Sequence, residues 1–376
     1  LVKSDNFWVR QSSEIERLEA MNPFEPGTRL RHPAVLGEPI VDPAGWSNRE
    51  FSARDSYLYV LSSDEIDEIL LAADQFEKTG IELRDLSKDK FVIPKFEETL
   101  LEVIHDEVLN GRGFIFLRGL PVEGRSVLQN AIVQWGLASY LGGMLPQNKQ
   151  GNLLEHVKNA GGDIDSPTGR GYNSANTLGF HSDDSDAFSL MCLRVGKSGG
   201  EHRIVSSVTV YNAMLDRFPR FAKELEFLFY RSRRGEIPLG EVPFVRQPVF
   251  SVTDGYFCAR GASSTIKRAQ ELEGVPKLTK LQREAINCYQ TLCGELSLLV
   301  NWQPGDISFV LNHVALHART AYQDWPEPEK KRHLLRLWIN LEKKRPIHET
   351  IAQDMSGIKL AEGTNPNTPL DMTPVV

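Results

Sequence analysis

Over residues 1–55 apolar and polar positions follow no sustained period, and Pro23, Pro26, Pro33, Pro39 and Pro43 interrupt them. Such a stretch predicts an extended arm over residues 1–60 that wraps a core built elsewhere. A helical period then begins. Ser62 and Glu65 form a capping-box pattern ahead of Ile66, Ile69, Leu70 and Ala73, the stripe of an amphipathic helix. Further helices are predicted over 95–109, ending at Gly111, and over 126–141, stopping at Gly142 and Gly143. Between them Phe114, Ile115, Phe116 and Leu117, closed by the turn residues Arg118 to Pro121, read as a buried strand.

From residue 150 the helical period thins and short β-type runs recur, at 188–195, 204–210, 247–252, 307–311 and 334–339, with one helix over 279–295. A helical layer followed by many short strands predicts an α+β protein around a double-stranded β-helix, or jelly roll. The organisation implied is a single catalytic domain over 61–345, preceded by the arm and followed by a tail over 346–376, loosely attached after Gly363.

Composition narrows the partners. With 376 residues, 41% hydrophobic and 25% charged, the chain is long enough to bury a sizeable core. A net charge of −7 argues against nucleic acid, and the basic clusters at 231–234 and 330–332 read as solvated faces, Arg332 excepted. The first residues carry no signal-peptide pattern and no apolar run is long enough to span a membrane. Cys192, Cys258, Cys288 and Cys293 show no paired spacing, which fits a reduced, cytoplasmic home. A small-molecule substrate is the expected partner, and a homo-oligomer remains open.

Two histidines and a carboxylate with open positions suit an iron(II) that must also bind a co-substrate and dioxygen. The pattern His-x-Asp/Glu is weak by itself, since nine histidines among 50 acidic residues give about one chance match. The chain holds two. His105 and Glu107 fall inside the helix predicted over 95–109, where residues two apart lie on opposite faces, so they cannot grip one ion. His105 reads as a surface or interhelical residue. His181 and Asp183 precede a β-type run, where residues two apart share a face.

The third ligand could be His202, His313, His317, His333 or His348. His317 is singled out by its sequel, in which the period-two rule puts Arg332, Leu334, Arg336 and Trp338 on one strand face and His333, Leu335, Leu337 and Ile339 on the other. Burying two guanidinium groups is costly unless they meet an anion. A structural salt bridge would serve; beside the triad, a dicarboxylate co-substrate explains them better.

Phe180-His181-Ser182-Asp183, Gly199-Gly200, Asn312, His317-Ala318-Arg319-Thr320 and the run Arg332 to Trp338 together resemble the iron(II)/2-oxoglutarate dioxygenases of the taurine dioxygenase and 2,4-dichlorophenoxyacetate dioxygenase superfamily, over about residues 113–340. The resemblance implies a jelly-roll core, with Fe(II) held by His181, Asp183 and His317, and with 2-oxoglutarate and O2 as co-substrates. It implies that Arg332 clamps the distal carboxylate of 2-oxoglutarate and that Arg336 lies near its iron-bound end or the substrate. Hydroxylation of a small molecule is the default outcome. Asp183 disfavours halogenation, because related halogenases carry a small residue there.

One departure stands out. The family usually places Thr or Ser two residues after the Gly-Gly pair, whereas here His202 follows. Either His202 takes over that hydrogen bond, or Ser206 or Ser207 does and His202 is a surface residue. Substrate contacts are expected from Tyr172, Asn176, Thr177, Phe188 and Arg260; Arg260 would bind an anionic substrate or form an ion pair. A zinc hydrolase on the same triad and a non-catalytic jelly-roll binding protein are the competing readings.

Overall fold

The run of alternating side chains after Arg332 becomes the longest strand among the described residues, His333–Leu341. A computed structural model describes residues 22–52, 54–162, 171–238, 240–262 and 264–370. In chain order the strands of its two main sheets are β1 (Leu58–Val60), β2 (Phe114–Arg118), β3 (Gly142–Met144), β4 (Leu154–Val157), β5 (Leu178–His181), β6 (Ala187–Arg194), β7 (His202–Ser206), β8 (Leu298–Val300), β9 (Ile307–Leu311), β10 (Ala315–Arg319) and β11 (His333–Leu341). The larger sheet runs β1-β2-β9-β6-β11-β3, with β4 also on β11, and the smaller runs β8-β7-β10-β5. Every pairing is antiparallel except β1 with β2.

Inner faces of both sheets meet in one apolar cluster: Phe114, Phe116, Phe188, Leu190, Leu334 and Trp338 from the larger, Ile204, Val300 and Ala315 from the smaller. The opposite face of β11 sends Leu335, Leu337 and Ile339 into a second cluster with the helices α1 (Ser63–Lys78) and α2 (Val127–Ser139). This is the jelly-roll, α+β architecture, and the period-two assignment along β11 holds. A register shift against β6 between His333 and Leu334 interrupts β11, and a second falls between His317 and Arg319 where β10 pairs with β5.

Three expectations shift. The run read as a strand over 204–210 ends at Ser206, whose hydroxyl caps the helix α3 (Ser207–Arg217) by accepting from the Thr209 amide at 3.0 Å. The run at 247–252 belongs to two strands, Phe244–Gln247 and Phe250–Thr253. The helix predicted from residue 95 begins at Glu97 and contains a π-helical stretch, Leu100–His105, before Asp106–Leu109. His105 and Glu107 are both buried there: Glu107 accepts from the amides of Gly27 and Arg112 and pairs with Arg29. That ties the N-terminal segment down, and Trp46 and Phe51 from it enter the inner core. The C-terminal stretch is fastened as well, Asn367 exchanging backbone hydrogen bonds with Gly151 and Leu153.

Candidate active site

Strand pairing assembles the three metal-binding candidates. His181 on β5 lies directly opposite His317 on β10, and side chains of opposed residues share a sheet face. Asp183 follows two residues on, and ligand atoms of His181, Asp183 and His317 all lie within 4.8 Å of one another. His105 and Glu107 are no part of this group. The loop is held from beneath by Asn312, whose side-chain oxygen accepts from the Asp183 amide at 3.0 Å while its nitrogen donates to the Ser185 carbonyl at 2.9 Å.

Protonation favours a cation. Nδ1 of His181 lies 2.9 Å from the Gly179 carbonyl, which makes it the donor and leaves Nε2 with a free lone pair. Burial and then neighbouring imidazoles hold His317 well below the ordinary histidine range. Burial pushes the Asp183 carboxyl up, but Arg336 and His181 outweigh it and leave it below its usual range. Two neutral imidazoles and one carboxylate are the donor set of an iron(II) site with open positions.

Arg336 on β11 donates to Asp183 Oδ1 at 3.3 Å and, through Nε, to the Gln147 oxygen at 2.8 Å. Gln147 in turn donates to the carbonyls of Arg336 at 2.8 Å and Leu153 at 3.1 Å. Deeper in the barrel, His202 is only 4% exposed, so it is no surface histidine. It stacks on His317 with centroids 5.8 Å apart and packs edge-on against Trp302 and Phe116. Burial, then Arg332, push its ring down to about 3, and its Nε2 meets no partner among the described residues.

Arg332 and Arg319, both buried, flank the Tyr322 ring at 5.0 and 4.9 Å. Neither has a carboxylate within ion-pair distance among the described residues, and Arg332 Nη1 and Arg319 Nη1 lack hydrogen-bond partners. Gly200 allows the approach: a β-carbon there would sit 3.0 Å from Arg332 Nε. Buried donors without an anion mark a socket for one. The chain therefore offers fitting residues for both iron and a dicarboxylate.

Ser206 and Ser207 are engaged elsewhere, with the Ala44 and Val314 carbonyls. Phe188 lies against His317, centroids 4.3 Å apart, inside the core. Asn176 and Thr177 are exposed and do not line the cavity described below, and the side chain of Tyr172 lies outside the described residues. Arg319 and Gln147 were not picked out from sequence as site residues. For Arg319 a signal existed, since it stands two residues after His317 on a strand. Its guanidinium donates to the carbonyls of Ser174 at 2.6 Å and Asn176 at 2.5 Å, fastening the segment ahead of β5.

On the open side of the triad lies a cavity of about 310 Å³ bounded by His181, Asp183, Arg336, Trp338 and the helices α4 (Ser264–Ala269) and α5 (Lys280–Leu296). Arg260 borders it and reaches under the metal loop to the Ser182 hydroxyl at 2.9 Å and the Asp183 carbonyl at 2.6 Å.

The sequence model of the taurine catabolism dioxygenase TauD, TfdA family matches residues 80–338. An FR-33289 synthase of Streptomyces rubellomurinus is 30% identical over 342 residues, 87% of this chain and 98% of that protein. A taurine hydroxylase-like protein of Stachybotrys chartarum is 29% identical over 323 residues, 82% of this chain and 81% of its own. Similar folds include an asparagine oxygenase solved with Fe(II), 2S,3S-3-hydroxyasparagine and succinate, at TM-score 0.59 and 18% identity, covering 76% of this chain and 93% of that one. The non-haem iron oxygenase OrfP, with Fe, succinate and (3S)-hydroxy-L-Arg, is similar at TM-score 0.56 and 15% identity, covering 75% and 94%.

Proposed function

This chain belongs to the TauD/TfdA dioxygenase family and is an oxidoreductase working with iron(II) and 2-oxoglutarate; from that premise we propose that it hydroxylates an unactivated C–H bond of a small molecule, releasing succinate and CO2. The family removes the zinc-hydrolase and binding-protein readings. The observation that carries the proposal is the coincidence, in one fold, of a His181/Asp183/His317 cluster with the buried guanidinium groups of Arg332 and Arg319, which meet no carboxylate among the described residues.

When bound, iron and 2-oxoglutarate supply the oxidant. The protein's share is placement. His181, Asp183 and His317 would hold the metal, with Arg336 keeping Asp183 ionised and Gln147 keeping Arg336 in position. Arg332 and His202 would hold the distal carboxylate, His202 replacing the hydroxyl its relatives use there. Phe188, Trp302 and Trp338 keep the inner side dry, and the cavity beyond Asp183 is where a C–H bond is presented.

Anaerobic addition of iron(II) and 2-oxoglutarate should give a weak visible charge-transfer band that is absent with either alone. Tight binding of zinc with no band on iron and 2-oxoglutarate would overturn the reading.

A further inference from the structure

The loop between β3 and β4 carries Gln147, yet Asn148, Lys149, Gln150, Gly151 and Asn152 bring no apolar side chain to the core. What holds it comes from the C-terminal segment 365–370. The Asn367 amide donates to the Gly151 carbonyl at 2.9 Å, and its carbonyl accepts from the Leu153 amide at 2.8 Å. Its side chain donates to the Gln150 carbonyl at 2.6 Å. On either side Arg84 donates to the Pro366 carbonyl at 3.1 Å, and His156 Nε2 lies 2.6 Å from that of Pro369. The two segments run so close that a β-carbon on Gly151, where φ is +84°, would sit 2.8 Å from the Asn365 carbonyl oxygen.

From there hydrogen bonds continue to the metal cluster. Leu153, whose amide meets Asn367, offers its carbonyl to the Gln147 side chain at 3.1 Å. The Gln147 amide donates to the carbonyl of Asn152 at 2.8 Å, and Asn152 is bridged to Asn367. Both loop residues on which Gln147 rests are therefore set by the C-terminal segment. Gln147 is fully buried and accepts from Arg336 Nε at 2.8 Å, and Arg336 donates to Asp183. In such a buried chain, displacing one member withdraws a partner from the next. Gln147 keeps a third anchor, the Arg336 carbonyl on β11 at 2.8 Å, so losing the segment would loosen it without freeing it.

We infer that segment 365–370 is a strap that positions the Asp183 carboxylate for the metal, through Asn367, Leu153, Gln147 and Arg336 in turn. Asn367 touches neither the metal cluster nor the cavity beside it, so it is a positioning residue. The inference rests on the reading of His181, Asp183 and His317 as an iron site. Its consequence is that metal affinity is set in part by the fastening of a surface segment remote from the triad in sequence.

The test is anaerobic iron(II) titration of the full chain against a chromogenic chelator, with Asn367→Pro, Asn367→Ala, Gln147→Leu and the Gln147→Leu/Asn367→Pro pair beside the wild type. Asn367→Pro removes the N–H given to Gly151 and should weaken iron binding about tenfold, the lower end of what outer partners of a metal ligand contribute. Asn367→Ala keeps both backbone bonds and should weaken it less. In Gln147→Leu, adding Asn367→Pro should change nothing further, because the route is already cut. By linkage, iron should also slow amide exchange at Leu153 and Asn367 in the wild type, and this measurement decides should Asn367→Pro fail to fold. An unaltered affinity in Asn367→Pro, additive losses in the double variant, or exchange at those two amides indifferent to iron would overturn the strap. A wild type that binds no iron would instead overturn the iron reading and the strap's role with it, so the two failures are told apart.

Discussion

Arg336 Nη1 stands nearly equidistant from the two oxygens of Asp183, at 3.3 and 3.4 Å. The contact holds the carboxylate without capturing either oxygen tightly, which leaves a lone pair to offer a metal. Asp183→Ala should abolish iron retention through gel filtration and lower succinate formation more than about 100-fold, beyond the loss typical of groups that only support a ligand. Full turnover in this variant would take Asp183 out of the metal set.

Arg332→Gln should raise the 2-oxoglutarate KM by about 100-fold, the scale of a lost charged bidentate contact, while iron content stays at the wild-type level. His202→Phe should move the same constant by about tenfold, as for one neutral hydrogen bond. Steady-state kinetics at saturating iron measure both, and an unchanged KM in Arg332→Gln would place the clamp elsewhere.

Gln147→Leu removes a side chain that satisfies two carbonyls and one guanidinium N–H at once. Chemical denaturation should show a loss of about 2–3 kcal/mol, the cost of leaving buried polar groups unpaired. Since Gln147 acts through Arg336, the iron affinity should fall as well; a purely structural role would leave it unmoved in the folded fraction.

His156 and His333 form a proton-ordered pair. Arg194 faces His333 Nδ1 at 3.2 Å, so that atom accepts; His333 Nε2 then donates to His156 Nδ1 at 2.7 Å, and His156 Nε2 donates to the Pro369 carbonyl at 2.6 Å. Burial first, then His156 and Arg194, push His333 from 6.5 down to about 3. The unfolded chain binds the extra proton more readily, so this stability is complete above 6.5 and is lost as pH falls from there toward 3. In His333→Gln the slope of stability against pH should be shallower by about 1.4 kcal/mol per unit in that window. Denaturation series between about pH 7.5 and about pH 5 measure it, and identical slopes would discount the pair.

Much of the jelly roll was legible because its strands alternate. Leu334 and Trp338 turn inward, and Leu335, Leu337 and Ile339 outward, as the period requires. His181 and Asp183 were separable from His105 and Glu107 by local geometry alone. What escaped depended on partners distant in sequence: Gln147 meets Arg336 across 189 residues, and the burial of His202 is made by Phe116 and Trp302 from separate segments. Ser206 misled because a capping serine beside valines looks like one more strand residue until the helix after it is seen. Arg319 could have been read from its spacing after His317, whereas Arg231, which is buried, looked like part of a solvated basic run.

The direct opposition of His181 and His317 would make a metal held between them a clasp on an exposed seam. Among the described residues β5 borders only β10, and one residue of slippage between them would turn one imidazole away from the other. An ion bridging the two rings pins that seam in a single alignment. Loading the site should therefore slow amide exchange along β5 well before it changes the sheet interior, so that the proposed metal centre would also govern how often the barrel's edge comes undone.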